Sequence, residues 1–489
     1  MSKGELIFLA MGGSVLTIVA IVAVLMFALM LHGQLRLGRY FVPMTFVCCT
    51  IGMALAVVLS HRDVRFAAFG TDNIGADAGG AAWPTRLLTG LMLGMSLAAL
   101  FNRYFRTRRL QLPGDAPVNA AQRRFAEAFV LYFAATYIVP SVLGAKPSFT
   151  MNVYYALPVF LAAIVDGVHS FDRVLRWAKF SLLGMTLGSL VAMAVQPSLA
   201  LQPGYAGWVP GLSIRLWGIG SSPNSIGPLA LLSLLLEYIA PTRDRRLRWL
   251  LVGCGLATLV LAQSKTAWMA TLVAGTCVSL FRFGLDRQGR LRFGTVIFVT
   301  ALLSLLLIGM LIVPPQKLMA AVSETKAGSE LVTLTGRSQI WNVAIDVWLE
   351  HPLFGYGPTI WDPAFRASLG MPFATHAHNQ WLQSLSQGGA FSALALLLYL
   401  VVMIIGCIRM TRPTRGASLA ILIFVLIRSM TETPLTVSTL FNGEMFTHML
   451  LAVIAARGLS LPRTVPASRI ASAVIAPAAV DRTSPLARI

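Results

Sequence analysis

"HAHNQWLQSLSQGGAFSALALLLYLVVMIIGCIRM", residues 376–410, opens with two histidines and an asparagine and then carries no charged residue from 380 to 406. An uncharged, largely apolar run of that length is enough to cross a ~30 Å hydrocarbon core as an α-helix. The polar cluster therefore stands at the mouth of a membrane span, in a chain with only seven histidines.

Comparable runs recur from end to end of the 489 residues, near 5–31, 40–60, 86–102, 125–144, 150–166, 175–196, 224–240, 249–263, 266–281, 295–313, 417–431 and 444–460. Composition agrees: 56% of the residues are hydrophobic and 12% charged, where soluble domains carry about 25% charged residues. The expected fold is an all-α polytopic membrane protein with about 12–13 transmembrane helices and one large helical loop. The first run is too long for a signal peptide and lacks a small-residue cleavage site, so it reads as a span.

A formal charge of +20 in a soluble protein would suggest nucleic acid. Its distribution argues otherwise. Seven clusters in alternate loops and the tail, among them Arg103–Arg124, Arg243–Arg248 and Arg409–Arg415, hold 27 of the 39 Lys and Arg residues. That is the positive-inside bias, and it assigns those loops to the cytoplasm. No nucleic-acid partner is expected; membrane lipids are. The five cysteines, Cys48, Cys49, Cys254, Cys277 and Cys407, lie in or beside apolar runs without ligand spacing, so neither a disulfide nor a zinc site is expected.

The chain divides into N-terminal transmembrane helices (1–180), transmembrane helices with a loop carrying Arg215 (181–313), a large loop (314–379), C-terminal transmembrane helices (380–460) and a flexible cytoplasmic tail (461–489). A loop as long as 314–379 inside a compact protein is usually functional. Within it, "SQIWNVAIDVWLEH" sets Ile340, Trp341, Ala344, Ile345, Trp348 and Leu349 on one side of a helix, with Asp346 and Glu350 opposite, an amphipathic pattern suited to lying on the domain or on the membrane surface. Arg337 stands at the start of this helix, where free N–H groups already favour anions.

Three helices running inward from the non-cytoplasmic face begin close to a basic group: Arg215 before "SSPNSIG", Lys265 in "QSKTAW" and His378 in "HAHN". Arginine suits phosphate oxygens because its planar fork donates in parallel and stays charged. Histidine near a helix N-terminus is kept neutral and able to accept a proton. Two carboxylates one residue apart, which would hold a divalent cation against a diphosphate, do not occur. The set fits an anionic ligand whose reaction needs a base, with no metal and no cofactor. Arg428, Glu432 and Glu444, near the ends of the last spans, are expected to form an ordinary ion pair, and His376 is expected to support His378.

"RLWGIGSSPNSIG", "QSKTAWMA" and "TGRSQIWNVAIDVWLEHPLFGYG" followed by "HAHNQWLQSLSQGG" resemble the O-antigen ligase superfamily, which includes O-antigen and exopolysaccharide polymerases. The resemblance covers roughly residues 180–405. Its pattern of His-Asn followed ten residues later by Gly is met by His378, Asn379 and Gly389; Ser392 stands where Gly or Thr is common. The resemblance implies a GT-C-like membrane glycosyltransferase in the bacterial inner membrane with its active site facing the periplasm. Such an enzyme moves a glycan from undecaprenyl diphosphate to a sugar hydroxyl, without metal. Arg215 and Arg337 would bind the diphosphate and His378 would be the base, with Lys265, Asn379 and His376 in the substrate site. A ligase would use lipid A-core as acceptor. The alternative is a polymerase extending a growing lipid-linked glycan. A transporter or flippase of anionic lipid-linked cargo is the reading from another class; it would need internal repeats and midplane charges, which the sequence does not display.

Overall fold

The computed structural model describes residues 41–66, 83–109, 120–149, 151–166, 171–205, 209, 211–284, 292–297, 299–301, 304, 337–371, 374–437 and 439–461. The run at 5–31 and the tail from 462 lie outside these residues, as does most of 295–313.

Helices follow the apolar runs. They are α1 (Phe41–Leu59), α2 (Trp83–Arg109), α3 (Ala120–Phe133, continued through a π-turn, Ala134–Ile138, into Val139–Leu143), α4 (Ala156–Asp166), α5 (Phe171–Val195), α6 (Pro223–Ile239), α7 (Arg245–Leu261), α8 (Lys265–Ser279), α9 (Arg337–Glu350), α10 (Pro363–Ser368), α11 (Gln380–Arg409), α12 (Ala417–Ser429) and α13 (Gly443–Ser460). Among the described residues five helical stretches are long and apolar enough to span a membrane: Phe41–Leu59, Ala120–Leu143, Phe171–Val195, Lys265–Gly284 and Gln380–Arg409. The protein is an all-α polytopic membrane protein. Its only described strands are the short pair β1 (Leu201–Pro203) and β2 (Ile214–Leu216), antiparallel with Gln202 opposite Arg215.

The 30-residue α11 is the central element. One face packs on α3 through stacked Tyr132 and Tyr399 rings, 5.5 Å apart. Lower down, α11 meets α13 where Gly406 faces Ala455 and Gly458; a methyl on Gly458 would fall on the Gly406 carbonyl. Such close approach is how membrane helices gain packing when lipid is as apolar as their side chains. The other face exposes Leu394, Leu397, Leu398, Val401, Ile405 and Ile408, which is the lipid-facing stripe of a span.

Near its site end α11 is interrupted. Gly389 has φ +69° and ψ −166°, a backbone region that essentially only glycine adopts. The turn at 352–357 fills the break. Tyr356 and Gly357 N–H donate to the Ser386 and Gln387 carbonyls (2.9 and 3.0 Å), and Ala390 N–H donates to the Pro352 carbonyl (2.8 Å). A Cβ on Gly389 would lie 2.2 Å from the Leu353 carbonyl carbon. Broken backbone is tolerated at this depth because protein groups satisfy it.

The amphipathic helix α9 forms, with its faces divided differently from the expectation. Ile340, Ala344 and Val347 are buried in a small core with Trp361, Met371 and Ala377. Ile345 and Leu349 are exposed. The buried arc centres on Ile340 because that side faces α11, and the rest of the apolar surface is left over.

Candidate functional site

The ends of α11, α12, α6 and α8 that lie away from the arginine-rich loops carry the candidate residues. Asn379 caps α11: its Oδ1 accepts from Trp381 and Leu382 N–H (3.0 and 3.2 Å), and its Nδ2 donates to the Met430 carbonyl at 3.5 Å. The side chain expected among substrate ligands is thus committed to joining α11 to the end of α12. Behind it, Gln380 accepts from Leu435 N–H (2.9 Å) and Gln383 from Ala377 N–H (2.9 Å). Gln383 also donates to Gln387, which donates to the Thr136 carbonyl at the π-turn of α3. This row of amides fastens both loops to the bundle.

Glu432, in the loop after α12, is the hub. Arg337 Nη2 donates to its Oε1 at 2.9 Å and Nη1 to the Thr431 carbonyl. His376 Nε2 lies 3.0 Å and His378 Nδ1 3.2 Å from Oε2. The two imidazoles are 3.9 Å apart between ring centres. The ordinary ion pair expected among Arg428, Glu432 and Glu444 forms between Arg428 and Glu444 at 3.0 Å. Glu432 takes a different part: it gathers three basic side chains from the loop before α11 and the start of α9. The sequence signal available was an acid in "TETP", on a face with few acids.

Burial alone would raise the Glu432 carboxyl, yet Arg337, then His378 and the histidine hydrogen bonds, hold it well below the ordinary range. Burial, then the His376 charge, lower His378 to about 4, against the opposing pull of Glu432. His378 is therefore neutral at pH 7. Its Nδ1–H donates to Glu432, which leaves Nε2 as the acceptor nitrogen; no described residue hydrogen bonds to it. His376 uses both nitrogens, Nδ1 on Thr375 Oγ1 at 3.0 Å and Nε2 on Glu432. The backbone at His378 is left-handed, φ +48°, a conformation of the kind that clusters at functional sites.

Arg215 does not touch Glu432. Its Nη2 reaches Asn224 Oδ1 at 3.4 Å, its Nε the Ala262 carbonyl at 3.3 Å, and the guanidinium lies 4.6 Å from the Tyr205 ring centre. Asn224 also accepts from Ser264 Oγ (3.1 Å), and its backbone carbonyl accepts from Arg428 Nη2 (2.9 Å). Since Glu432 N–H donates to the Arg428 carbonyl at 2.6 Å, two adjoining networks share the end of α12. One holds Arg215, the other Arg337, His376 and His378. Buried Arg62 positions the first by donating to the carbonyls of Leu199, Gly218, Gly220 and Ser221; nothing in the sequence of its loop announced that role. Lys265 opens α8 half-buried beside Ser264.

The nitrogens of His376 and His378 and the Glu432 carboxylate lie within 4.8 Å of one another and could ligate a metal ion. Arg337 on the same carboxylate places a fixed positive charge beside that position, and Coulomb repulsion at this range works against a divalent cation.

The fold and the site together define a polytopic helical membrane protein that concentrates cations and one neutral imidazole at the end of its spans opposite the basic loops. Residues 250–397 match the family model described as O-antigen ligase, which supports membership of the O-antigen ligase and polymerase superfamily and, with it, membrane glycosyl transfer. The matched segment includes Lys265, Arg337, His376, His378, Asn379 and Gly389; Arg215 and Glu432 fall outside it. No curated protein matches the chain.

Proposed function

We propose that the protein is a metal-independent glycosyltransferase of the bacterial inner membrane. It moves a glycan from undecaprenyl diphosphate to a sugar hydroxyl on the periplasmic side, in the manner of an O-antigen ligase that uses lipid A-core as acceptor. The observation that carries this reading is the Glu432 hub, which brings Arg337 and a neutral His378 with an open Nε2 together from distant parts of the chain.

In the proposed reaction the acceptor hydroxyl gives its proton to His378 Nε2. Its oxygen bonds to the anomeric carbon as the bond from that carbon to the diphosphate oxygen breaks, and the diphosphate leaves with the electron pair. Arg337 and Arg215 meet the charge that develops on it, the role for which fixed donors are most effective. Glu432 holds the His378 tautomer and stabilises the imidazolium once formed. Asn379 and His376 position the base, and Lys265 adds positive charge near the Arg215 network. Lipid A-core and a growing lipid-linked glycan need the same donor chemistry, so the polymerase reading keeps the same residues.

Purified protein given a defined lipid-linked donor and a panel of acceptors tests the reading. Transfer that depends on Arg215, Arg337 and His378 is expected, and undiminished transfer by His378→Ala would end it. Full-length polymer stranded on the lipid carrier in a deletion strain marks a ligase; single repeat units mark a polymerase.

A further inference from the structure

The apolar surface of α9 that the domain core leaves uncovered has a definite place. Helical spacing puts Trp341, Ile345, Trp348 and Leu349 on one flank, beside the buried arc of Ile340, Ala344 and Val347. Leu349 is 63% exposed and Leu353, just beyond the helix, also 63%. Asn342, Asp346 and Glu350 are exposed on the remaining flank. Trp341 and Trp348, next to the buried arc, are half-buried, and the Trp348 indole N–H donates to the Pro352 carbonyl at 3.3 Å. Ile345 and Leu349, farther round, are exposed, so among the described residues the packing ends between the tryptophans and these two side chains.

The break in α11 fixes where this helix lies along the membrane normal. Counting back about 20 residues from Arg409, the length that fills the hydrocarbon core, reaches the neighbourhood of Gly389 and Ala390. The exposed leucines of α11 begin just past that point, whereas Gln380, Gln383, Ser384, Ser386 and Gln387 before it are polar and buried. Leu353 is tied to this level, since its carbonyl accepts from Phe391 N–H at 3.3 Å and Phe391 is itself 40% exposed. The exposed Leu353 therefore stands level with the site end of the lipid-facing stripe of α11, and exposed Leu349 lies four residues before it.

We propose that α9 is an interfacial helix whose exposed Ile345 and Leu349 edge, with the half-buried Trp341 and Trp348 beside it, is immersed in the headgroup and acyl boundary of the leaflet at the site end of the bundle. The occupant of the free face is lipid. An exposed apolar edge with two tryptophans on its protein side and a polar flank on the other is a composition that seats a helix at that depth. Arg337 at its first residue would then stand where an anionic lipid headgroup lies, at the end of a helix about 20 Å long.

Spin labels on single introduced cysteines test this in the full-length protein in lipid nanodiscs; the five native cysteines are all buried. Labels at Ile345→Cys, Leu349→Cys and Leu353→Cys are expected to relax strongly with oxygen and weakly with a water-soluble nickel chelate, and a label at Asp346→Cys is expected to show the reverse. Equal chelate access at Leu349 and Asp346 would place the helix in water and overturn the proposal. Low access to both reagents at Leu349 and Leu353 would overturn it too, by showing a protein cover. These side chains are exposed, so the variants retain the fold, and their transfer activity is a separate readout from depth.

Discussion

His378 Nδ1 and Glu432 Oε2 are 3.2 Å apart, although the two residues are separated by 54 positions and by two helices. The contact fixes the ring so that Nε2 is its open edge. The neighbouring His376, which has both nitrogens engaged, has no such edge.

The two histidines therefore differ in what their loss does. His378→Ala is expected to lower glycan transfer by about 10²–10⁴, the range of a lost general base, with the protein still folded and inserted. His376→Ala is expected to cost much less, because it perturbs only the surroundings of the base. Single-turnover transfer by purified variants, alongside thermal unfolding, separates them; equal losses would reassign the base.

Glu432→Gln removes the only acid that Arg337 and both histidines contact among the described residues. Leaving a buried charge without its partner costs about 3–5 kcal/mol, so the melting temperature should fall by several degrees and transfer should fail. Removing Arg337 as well takes away the uncompensated charge. The Arg337→Ala, Glu432→Gln double variant is expected to unfold at a higher temperature than Glu432→Gln alone, a coupling that a double-mutant cycle reads directly.

The acid limb of the pH–rate profile should lie below the ordinary histidine range. His378 must be neutral to accept a proton and is lowered to about 4 by burial and by His376, so transfer should persist as pH falls past 6.5 and fade toward 4. Stability moves in the same direction. Between 6.5 and about 4 the unfolded chain binds a proton at His378 that the native protein does not, so stability declines as pH falls. Glu432, held below its unfolded value, adds a further loss once pH drops through the carboxylate range. An acid limb near 6.5 would contradict the buried, neutral ring.

Gly389→Ala should be among the most damaging small substitutions in the chain. The backbone there has a conformation open essentially to glycine alone, and the new methyl would meet the Leu353 carbonyl carbon at 2.2 Å. Relief requires the 352–357 turn to leave the break in α11, which strands the Ser386 and Gln387 carbonyls that the turn satisfies. A fall in thermal stability together with loss of transfer is expected. Gly90→Ala, where nothing stands within 4 Å, should be neutral in the same assay.

Chelators should leave transfer unchanged, and added divalent cations should not raise it. The cluster of His376, His378 and Glu432 has the donor atoms for a metal, but Arg337 already supplies the positive charge there. Loss of activity in chelator, restored by one particular ion, would reverse this assignment.

Apolar runs of about 20 residues can be counted, so the sequence by itself determined that this is a helical membrane protein and where most of its described helices lie. Clustered arginines likewise told one end of the bundle from the other. Arg215, Arg337 and His378 were legible as candidates because a lone basic group at a helix start stands out on a face that carries so little charge. What the sequence could not supply was their arrangement. Glu432 looked like one more acid at a span end, and only the crossing of α9, α11 and α12 made it the shared partner of three bases, while Arg428 took Glu444 and Asn224. Gly389 stood in a motif with no visible reason until the turn from 352 to 357 was found occupying the gap in α11. Hydrophobic periodicity is a local property that helices express one at a time; which ends meet, and which carboxylate answers which cation, depends on packing between segments far apart in the chain, and that information exists only in the folded protein.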